Sequence, residues 1–415
     1  MHDSEYNLID PHLLDIRSRF ANELFKGGAC RAGRSNLFSV GSSGCGHRAG
    51  RDTLSCINNE SVGASSPNHS AFVTLPADGS VLVLNINGAT GTITVGPKTP
   101  PTQNVTPRGL ALHPSKKFLY VANTRANTIS IFNVGTAGLL TLNTAVPSGN
   151  GPTAVTIDPT GTYLLVTNVF GSNGSGGDVS VYTMDSGSGA LTEVAGSPFP
   201  ANKNPTAIQF THSGDFVYVT NTAIGMVTGF SFSMTSGALT QVPGSPLISG
   251  AGAAALAIDT TDQFLYVANP SATNLPPYSS TIGNISGFNI DSTTGALTLM
   301  QGSPFAATNG NGPTALTVAP GGFVYAVTAG TSYSIWCFSI THDTGQLVGV
   351  AGSPFSLSAG GLFAVIDPIG NYLYTGSQSG NGISAYTGVA NGAPSIIGGA
   401  PFSIGSAPAA MVFLE

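Results

Sequence analysis

A serine between a glycine and a proline is the first residue here that could act as a nucleophile. The five-residue stretch around it occurs four times: AGSPF at 195–199, PGSPL at 243–247, QGSPF at 301–305 and AGSPF at 351–355. A fifth, degenerate copy has alanine in place of the serine, GGAPF at 398–402. An enzyme needs its nucleophile once, whereas a structural joint is needed in every structural unit. The serine also lacks the G-x-S-x-G strand-to-helix turn that exposes a hydrolase serine. The repetition therefore predicts a joint and not a catalytic residue.

Histidines and aspartates are the other groups suited to acid–base chemistry or metal binding. Three histidines fall in predicted loops, where no catalytic triad is evident: His113, His212 and His342. Three aspartates recur at one repeat position: Asp158, Asp259 and Asp367. One carboxylate per unit is typical of a turn cap that accepts from its own backbone amides, whereas calcium gathers about 6–8 oxygens in one loop. The sequence therefore predicts no metal site and no cofactor.

A repeated unit of about 45–60 residues must position these groups, and such a period is examined first in any sequence. Each unit opens with a Pro-x-x-aliphatic phrase, such as PTAV at 152–155, followed by a turn such as DPTG at 158–161. An aromatic-rich strand follows, such as FLYVAN at 118–123, and then a third strand such as TISIFNV at 128–134. A short fourth strand follows a glycine, as in GALTEV at 189–194. The β-branched and aromatic residues are typical of strands.

The number of units predicts the architecture. Complete units begin near residues 107, 152, 205, 253, 313 and 361. Residues 72–95 match the second to fourth strands of a unit, and residues 408–414 match a first strand alone. Joined, these two fragments make a seventh blade. The sequence thus predicts an all-β, seven-bladed β-propeller over residues 67–415, with four antiparallel strands per blade and the ring closed by the C-terminal strand.

Residues 1–66 have a different composition. Residues 10–25 read as a short amphipathic helix, and the Gly/Arg/Ser/Cys-rich stretch after them is predicted to be largely disordered. Seven of the thirteen Lys and Arg residues lie within residues 1–60. We therefore expect an N-terminal region separate from the propeller.

Composition excludes several classes of function. The net charge is −6 and only 8% of residues are charged, so no basic patch is available for nucleic acid. No run approaches the roughly 18 apolar residues of a membrane span, and no C-x-x-C predicts a zinc ribbon or a thioredoxin motif. The low charge favours a location outside the cytoplasm, although no clear signal peptide is present. We expect a monomer.

The repeats resemble a known family. FVYVTN at 216–221 contains the phrase of YVTN-type propeller repeats, and the unit over 152–199 is similar to the lactonase family of seven-bladed propellers, which includes the 6-phosphogluconolactonase type. The resemblance covers about residues 67–415. It implies hydrolysis of a sugar lactone in the central channel, near the start of the innermost strands. An arginine from a P-R-H or P-R-G phrase would hold a carboxylate, a phosphate or the developing oxyanion, and a His or Glu would activate water.

Carried onto this chain, the family pattern assigns Arg108 as the catalytic residue, in TPRGL at 106–110. No P-R-H occurs, and the residues that stand where the family's Glu would follow a second strand are neutral: Thr124, Val169 and Thr222. The equivalents of Arg108 in the other units should line one end of the channel without an acid or a base: Thr153, Thr206, Ala254, Thr314, Leu362 and Ala409. The alternative hypothesis is a non-catalytic propeller that binds a protein or glycan, with the insertion at 269–284 and the loop at 168–178 as its first candidate contacts.

Two further columns of the repeat carry structural predictions. Asn123, Asn168, Asn221 and Asn269 end the second strands and are interpreted as turn caps in left-handed geometry. The aromatic residues of the Gly-Ser-Pro joints should fill the seams between blades: Phe199, Phe305, Phe355 and Phe402. The joints themselves are predicted to carry the chain from the outer edge of one blade to the hub of the next.

Overall fold

The structure is a computed structural model that describes residues 67–100, 105–171, 176–271, 283–307, 312–329, 333–377 and 380–414. The predicted helix and disordered stretch within residues 1–66 lie outside these ranges, as does most of the insertion at 269–284, so the division of the chain at residue 66 stays a prediction. Within the described ranges, no helix is long and apolar enough to cross a membrane.

The described strands form seven antiparallel sheets, the blades, which we number from 1 to 7. The first three strands belong to blade 7: β1 (His69–Leu75), β2 (Ser80–Ile86) and β3 (Ile93–Lys98). Blade 1 follows: β4 (Pro107–Leu112), β5 (Phe118–Asn123), β6 (Thr128–Val134) and β7 (Leu140–Pro147). A 3₁₀ turn at Thr136–Gly138 joins its last two strands.

Blades 2 to 4 each have a fourth strand split into two short pieces. Blade 2 contains β8 (Asn150–Ile157), β9 (Tyr163–Phe170), β10 (Asp178–Met184), β11 (Leu191–Glu193) and β12 (Phe199–Pro200). Blade 3 contains β13 (Pro205–Phe210), β14 (Phe216–Asn221), β15 (Met226–Phe232), β16 (Leu239–Gln241) and β17 (Leu247–Ile248). Blade 4 contains β18 (Ala255–Ile258), β19 (Phe264–Asn269), β20 (Asn284–Ile290), β21 (Leu297–Leu299) and β22 (Phe305–Ala306).

Blades 5 and 6 repeat this pattern, and one strand then completes blade 7. Blade 5 contains β23 (Pro313–Ala319), β24 (Phe323–Thr328), β25 (Ser334–Ile340), β26 (Leu347–Gly349) and β27 (Phe355–Ser356). Blade 6 contains β28 (Gly361–Ile366), β29 (Leu373–Ser377), β30 (Gly382–Thr387), a 3₁₀ turn at Val389–Asn391, β31 (Ser395–Ile396) and β32 (Phe402–Ser403). The last strand is β33 (Met411–Leu414).

The ring closes as the sequence predicts. The closing sheet has the order β3-β2-β1-β33, with Phe72 opposite Val412. The innermost strand of every blade contacts the innermost strand of the next, and β33 contacts β4 to complete the circle. The all-β seven-bladed propeller with four antiparallel strands per blade is therefore confirmed.

The core lies in the seams between blades. Each hydrophobic cluster joins two neighbouring blades; one of them packs Val181 and Phe199 of blade 2 against Val217 and Phe230 of blade 3. Both faces of a blade are thus buried, and the second strands read as apolar runs and not as strict alternation. We name each seam by its two blades.

The Gly-Ser-Pro joints lie elsewhere than predicted. The residues after the proline return to pair with the third strand of the same blade, so that Phe199 lies opposite Val179. The joint is therefore a turn within the outer strand, and the chain leaves for the next hub only after it. The Ser197 Oγ accepts a hydrogen bond from the Val181 backbone N–H at 3.0 Å, and the peptide bond before the proline is cis in all five copies. The predicted packing of the aromatic residues is confirmed, because Phe199, Phe305, Phe355 and Phe402 all contact clusters that span two blades.

The asparagine column is not a set of turn caps, and that interpretation was wrong. The four side chains are buried within strands, and none of the four has a left-handed backbone. They link the second strand to the third: Asn168 Nδ2 donates to Asp178 Oδ1 at 2.7 Å and to Ser180 Oγ at 2.9 Å. Asn269 additionally donates to the Ser249 carbonyl of the preceding blade at 3.1 Å.

A tyrosine in most second strands links each blade to the next. Its hydroxyl donates to a backbone carbonyl in the turn between the third and fourth strands of the neighbour, as from Tyr218 to Gly295 at 2.8 Å and from Tyr266 to Gly345 at 2.6 Å. Burial raises the pKa of both phenols far above the ordinary value. These tyrosines are structural hydrogen-bond donors and not proton carriers.

Cys337 is expected to resist thiol reagents in the folded protein. It is fully buried in β25, and burial raises the pKa of its thiol to about 11, so almost no reactive thiolate exists at pH 8. Alkylation at pH 8, followed by mass spectrometric mapping, should label Cys337 at least ~100-fold more slowly in the native protein than in the unfolded protein. Rapid native labelling of the peptide that contains Cys337 would contradict this burial.

Candidate functional site

Arg108 is the second residue of β4, at the end of the hub where the innermost strands begin. Its side chain is exposed, and the guanidinium has no hydrogen bond or ion pair with any residue in the described ranges. A free, always-charged guanidinium with five donors is suited to bind a carboxylate, a phosphate or an oxyanion. No described residue therefore competes with a ligand for the Arg108 guanidinium.

The backbone under Arg108 is fixed from both neighbouring blades. Thr74 Oγ1 of blade 7 donates to the Arg108 carbonyl at 2.6 Å and also accepts from the Ala410 N–H at 3.1 Å. On the other side, a Cβ on Gly109 would lie 2.6 Å from the Thr153 carbonyl oxygen of blade 2. Only glycine permits this close approach of β4 to β8, and the P-R-G phrase therefore places the arginine on a rigid base.

Three of the six positions equivalent to Arg108 are threonines, and their hydroxyls are already hydrogen-bonded. Thr153 Oγ1 bonds Thr167 Oγ1 at 2.9 Å and donates to the Pro205 carbonyl of blade 3 at 3.2 Å. Thr314 Oγ1 donates in the same way to the Gly361 carbonyl of blade 6 at 2.7 Å. These threonines therefore join the hub strands and supply neither an acid nor a base.

The residues in the place of the family's glutamate have a similar structural use. Thr124 Oγ1 donates to the Pro152 carbonyl at 2.6 Å, and Thr222 Oγ1 donates to the Ala253 carbonyl at 2.8 Å. Val169 cannot take part in proton transfer. Sequence reasoning missed this set of hydroxyl-to-carbonyl links, although threonine recurs at both positions.

The histidines remain away from Arg108. His113 is buried in the turn after β4, at the opposite end of that strand; its Nδ1 accepts from the Ser115 N–H at 3.0 Å, so Nε2 donates to the Gly161 carbonyl at 2.9 Å. His212 pairs with Asp262 of the next blade at 2.7 Å. His342 is 96% exposed and pairs with the adjacent Asp343. All three are loop residues, as predicted, and none provides a base for water at the Arg108 end.

The recurring aspartates cap turns. Asp158 Oδ1 accepts from the N–H groups of Thr162 and Tyr163, and Asp259 does the same for Gln263 and Phe264. Throughout the described ranges, no three His, Cys, Asp or Glu side chains gather in a group that could hold a metal ion. Calcium binding by these carboxylates has no support in the geometry.

Solved structures with the same architecture include lactonases. One is a candidate 6-phosphogluconolactonase from Bacteroides uniformis, at 18% identity, with a TM-score of 0.69 over 84% of this chain and 99% of that one. Another is a periplasmic gluconolactonase from Pseudomonas aeruginosa, at 16% identity, with a TM-score of 0.69 over 84% of this chain and 99% of that one. At these identities the likeness shows the fold alone. No curated protein matches the sequence.

The sequence profile of the family described as "Lactonase, 7-bladed beta-propeller" matches residues 64–197 and 173–353, which together span most of the chain. This match agrees with the seven blades, the closure through β1 and β33, and the P-R-G phrase at the start of β4. The chain belongs to the lactonase family of seven-bladed β-propellers.

Proposed function

We propose that the chain hydrolyses an anionic sugar lactone, of the 6-phosphogluconolactone class, which it binds at the Arg108 end of the channel. The observation that carries this proposal is an exposed guanidinium without a partner in the described ranges, on a backbone held by Thr74 and by the close approach of Gly109 to Thr153. A cation on a rigid base at the start of an innermost strand is suited to bind an anionic group.

The proposed reaction needs only electrostatic help from the protein. Water adds to the lactone carbonyl, and the negative charge that develops on the carbonyl oxygen, or the charge already on the sugar, pairs with Arg108. The ring C–O bond then breaks, and the proton of the attacking water ends on the ring oxygen to give the hydroxy acid. Because the equivalents of Arg108 are threonines engaged in the hub, aliphatic residues or alanines, we expect a rate below that of an enzyme with a dedicated base.

Hydrolysis of gluconolactone and its 6-phosphate by the full chain tests the proposal. Arg108→Ala should lower kcat/KM about 10²-fold, the usual loss for one donor to an oxyanion. Arg108→Lys should retain part of the activity, because an ammonium keeps the charge but not the bidentate geometry. Lys117→Ala is the matched control: this exposed cation lies beyond the opposite end of β4 and should leave the rate unchanged. Equal rates for Arg108→Ala and the wild type would remove Arg108 from the site.

A second candidate function is binding without turnover, of a glycan or protein that presents an acidic group. The observation in its favour is that none of the positions equivalent to Arg108 carries an acid or a base. Calorimetry with gluconate and 6-phosphogluconate separates the two. Binding that Arg108→Ala weakens, together with no lactone turnover above the spontaneous rate, would favour the binding module. The expected monomeric state is a separate prediction, which light scattering on the same samples would check.

A further inference from the structure

One position of the outer strand recurs in all seven blades. It faces the second residue of the third strand, and in blades 1 to 6 its side chain packs into the seam with the next blade. The pairs in blades 1 to 6 are Ile129 with Val146, Val179 with Phe199, Val227 with Leu247, Ile285 with Phe305, Ile335 with Phe355, and Ile383 with Phe402. We call this position the seam plug. In six blades it is apolar, and in four of them it is phenylalanine.

Blade 7 has threonine at the seam plug. Thr99 faces Val81, the second residue of β2, and the two are joined by two hydrogen bonds: Thr99 N–H to the Val81 carbonyl and Val81 N–H to Thr99 Oγ1, both at 2.9 Å. The Thr99 side chain is thus turned to its own blade and supplies no ring to seam 7/1. Blade 7 lacks the Gly-Ser-Pro joint that positions the phenylalanine in other blades.

A cavity of about 190 Å³ lies in seam 7/1 beside Thr99. Its walls are mainly aliphatic and aromatic, with Val81 on the blade 7 side and Val121, Phe132 and Leu140 on the blade 1 side. An apolar cavity of about 150 Å³ is enough to hold a benzene ring. The space therefore fits the ring that four other seams take from their own chain.

Polar side chains also line the cavity: Ser80 and Thr99 on the blade 7 side, and a group around Asn123 on the blade 1 side. Asn123 lines it with Thr128 and Ser130, to whose hydroxyls its Nδ2 donates at 3.1 Å and 2.8 Å. Within the described ranges, Asn123 Oδ1 accepts no hydrogen bond. Oδ1 of its equivalents Asn168 and Asn221 accepts from a hydroxyl of Ser148 and of Thr228, whereas Asn269 Oδ1 has no partner. A ligand hydroxyl can supply the same donor here.

We propose that the seam 7/1 cavity is a binding site for a small neutral aromatic alcohol. The phenyl ring takes the place of the missing seam plug between Val81 and Phe132, and the hydroxyl donates to Asn123 Oδ1. The site is independent of Arg108 and of the proposed hydrolysis. The repeat itself indicates the ligand class, because the same seam position holds a phenyl group in four other blades and the equivalent asparagine accepts from a hydroxyl in two.

Titration of the full chain with benzyl alcohol, by calorimetry and ligand-observed NMR, tests this site. We expect one molecule per chain with a Kd on the order of 1 mM or below, as for a ligand of this size. Thr99→Phe and Thr99→Leu copy the plugs of other blades, and both should weaken binding about tenfold or more. Buffer alone and ethanol serve as controls. Ethanol should bind at least ~10-fold more weakly because it lacks the ring.

A gain-of-site variant keeps the test decisive if filling Thr99 disturbs the fold. Phe355→Thr removes the plug of seam 5/6 and should add a second, weaker benzyl alcohol site, since Ser377 stands there in place of the asparagine, together with a lower Tm that the ligand partly restores. One site in the wild type, none in Thr99→Phe and two in Phe355→Thr would support the proposal. No saturable binding to the wild type, or the same affinity in Thr99→Phe, would overturn it, because the cavity would then be filled by the chain itself or the ligand would bind elsewhere.

Discussion

A chain that ends at Ala410 is expected to lose most of its folded stability, although it lacks only the last five residues. Among the described strands, β33 is the one C-terminal strand that pairs within the sheet of blade 7. Its side chains serve both seams of that blade: Val412 and Leu414 pack on the cluster of seam 7/1, and Met411 and Phe413 pack on the cluster of seam 6/7. Without the strand, β1 becomes an open edge and both clusters lose one wall.

The expected loss is about 5 kcal/mol or more. Full burial of a large apolar side chain contributes about 1.5–3 kcal/mol, and the truncation removes one buried and three half-buried ones together. Because the total stability of a domain is about 5–15 kcal/mol, the truncated chain should be largely unfolded or aggregated near 37 °C. Urea unfolding followed by circular dichroism and tryptophan fluorescence would measure the difference.

Two point variants show whether the strand or one side chain is responsible. Phe413→Ala keeps the backbone pairing but removes the ring that meets Tyr374 edge-to-face at 5.7 Å, and it should cost about 2–3 kcal/mol. Ile396→Ala, an exposed residue on the outer edge of blade 6, should change stability by less than about 0.5 kcal/mol. A truncated chain that unfolds at the same urea concentration as the wild type would show that the ring does not depend on β33.

The blade count and the closure could be predicted because both depend on local, periodic information. Strand phrases such as FLYVAN and turn phrases such as DPTG recur in register, and the two orphan fragments add up to one unit. The side-chain roles were harder to predict, because their partners lie on another blade. Asn269 donates to the Ser249 carbonyl of blade 3, 20 residues away in the sequence. Thr153 donates to the Pro205 carbonyl of blade 3, 52 residues away.

The candidate site followed from one family phrase, and the structure clarifies why that phrase carries a glycine and why its neighbours carry threonine. Gly109 permits the approach of two hub strands, and the threonines satisfy hub carbonyls. Neither reason is visible in a single repeat, because both are contacts between successive units. A role for Arg108 in binding or catalysis stays a prediction until the variants above are measured.

Ile369→Thr is expected to stabilise the propeller by about 1–2 kcal/mol at pH 7, because it supplies a donor that two other blades already have. In the turns of Asp158 and Asp259, the residue two positions later is threonine, whose N–H and hydroxyl both donate to the carboxylate Oδ2. In blade 6 that residue is Ile369, which is 49% exposed, and Oδ2 of the buried Asp367 has no hydrogen-bond partner. A hydrogen bond to a charged group contributes about 1.5–3 kcal/mol, less the cost of ordering the hydroxyl.

The pH dependence of this gain identifies its cause. Burial raises the pKa of Asp367 above its ordinary value of 3.8, against the smaller lowering effects of the Tyr372 N–H and of His69. The folded wild type therefore holds this proton to higher pH than the unfolded chain, and the contribution of Asp367 to stability is lost as the pH rises through the folded-state pKa. A hydroxyl that donates to the ionised carboxylate should lower that pKa, so the advantage of Ile369→Thr should be full near pH 7 and should fade as the pH falls through the raised folded-state pKa of Asp367. Urea unfolding of Ile369→Thr and Ile369→Val from pH 3.5 to pH 7.5 measures this, since valine has the same branched shape without the hydroxyl. An equal gain in both variants, or a gain independent of pH, would assign the effect to removal of the exposed isoleucine and not to Asp367.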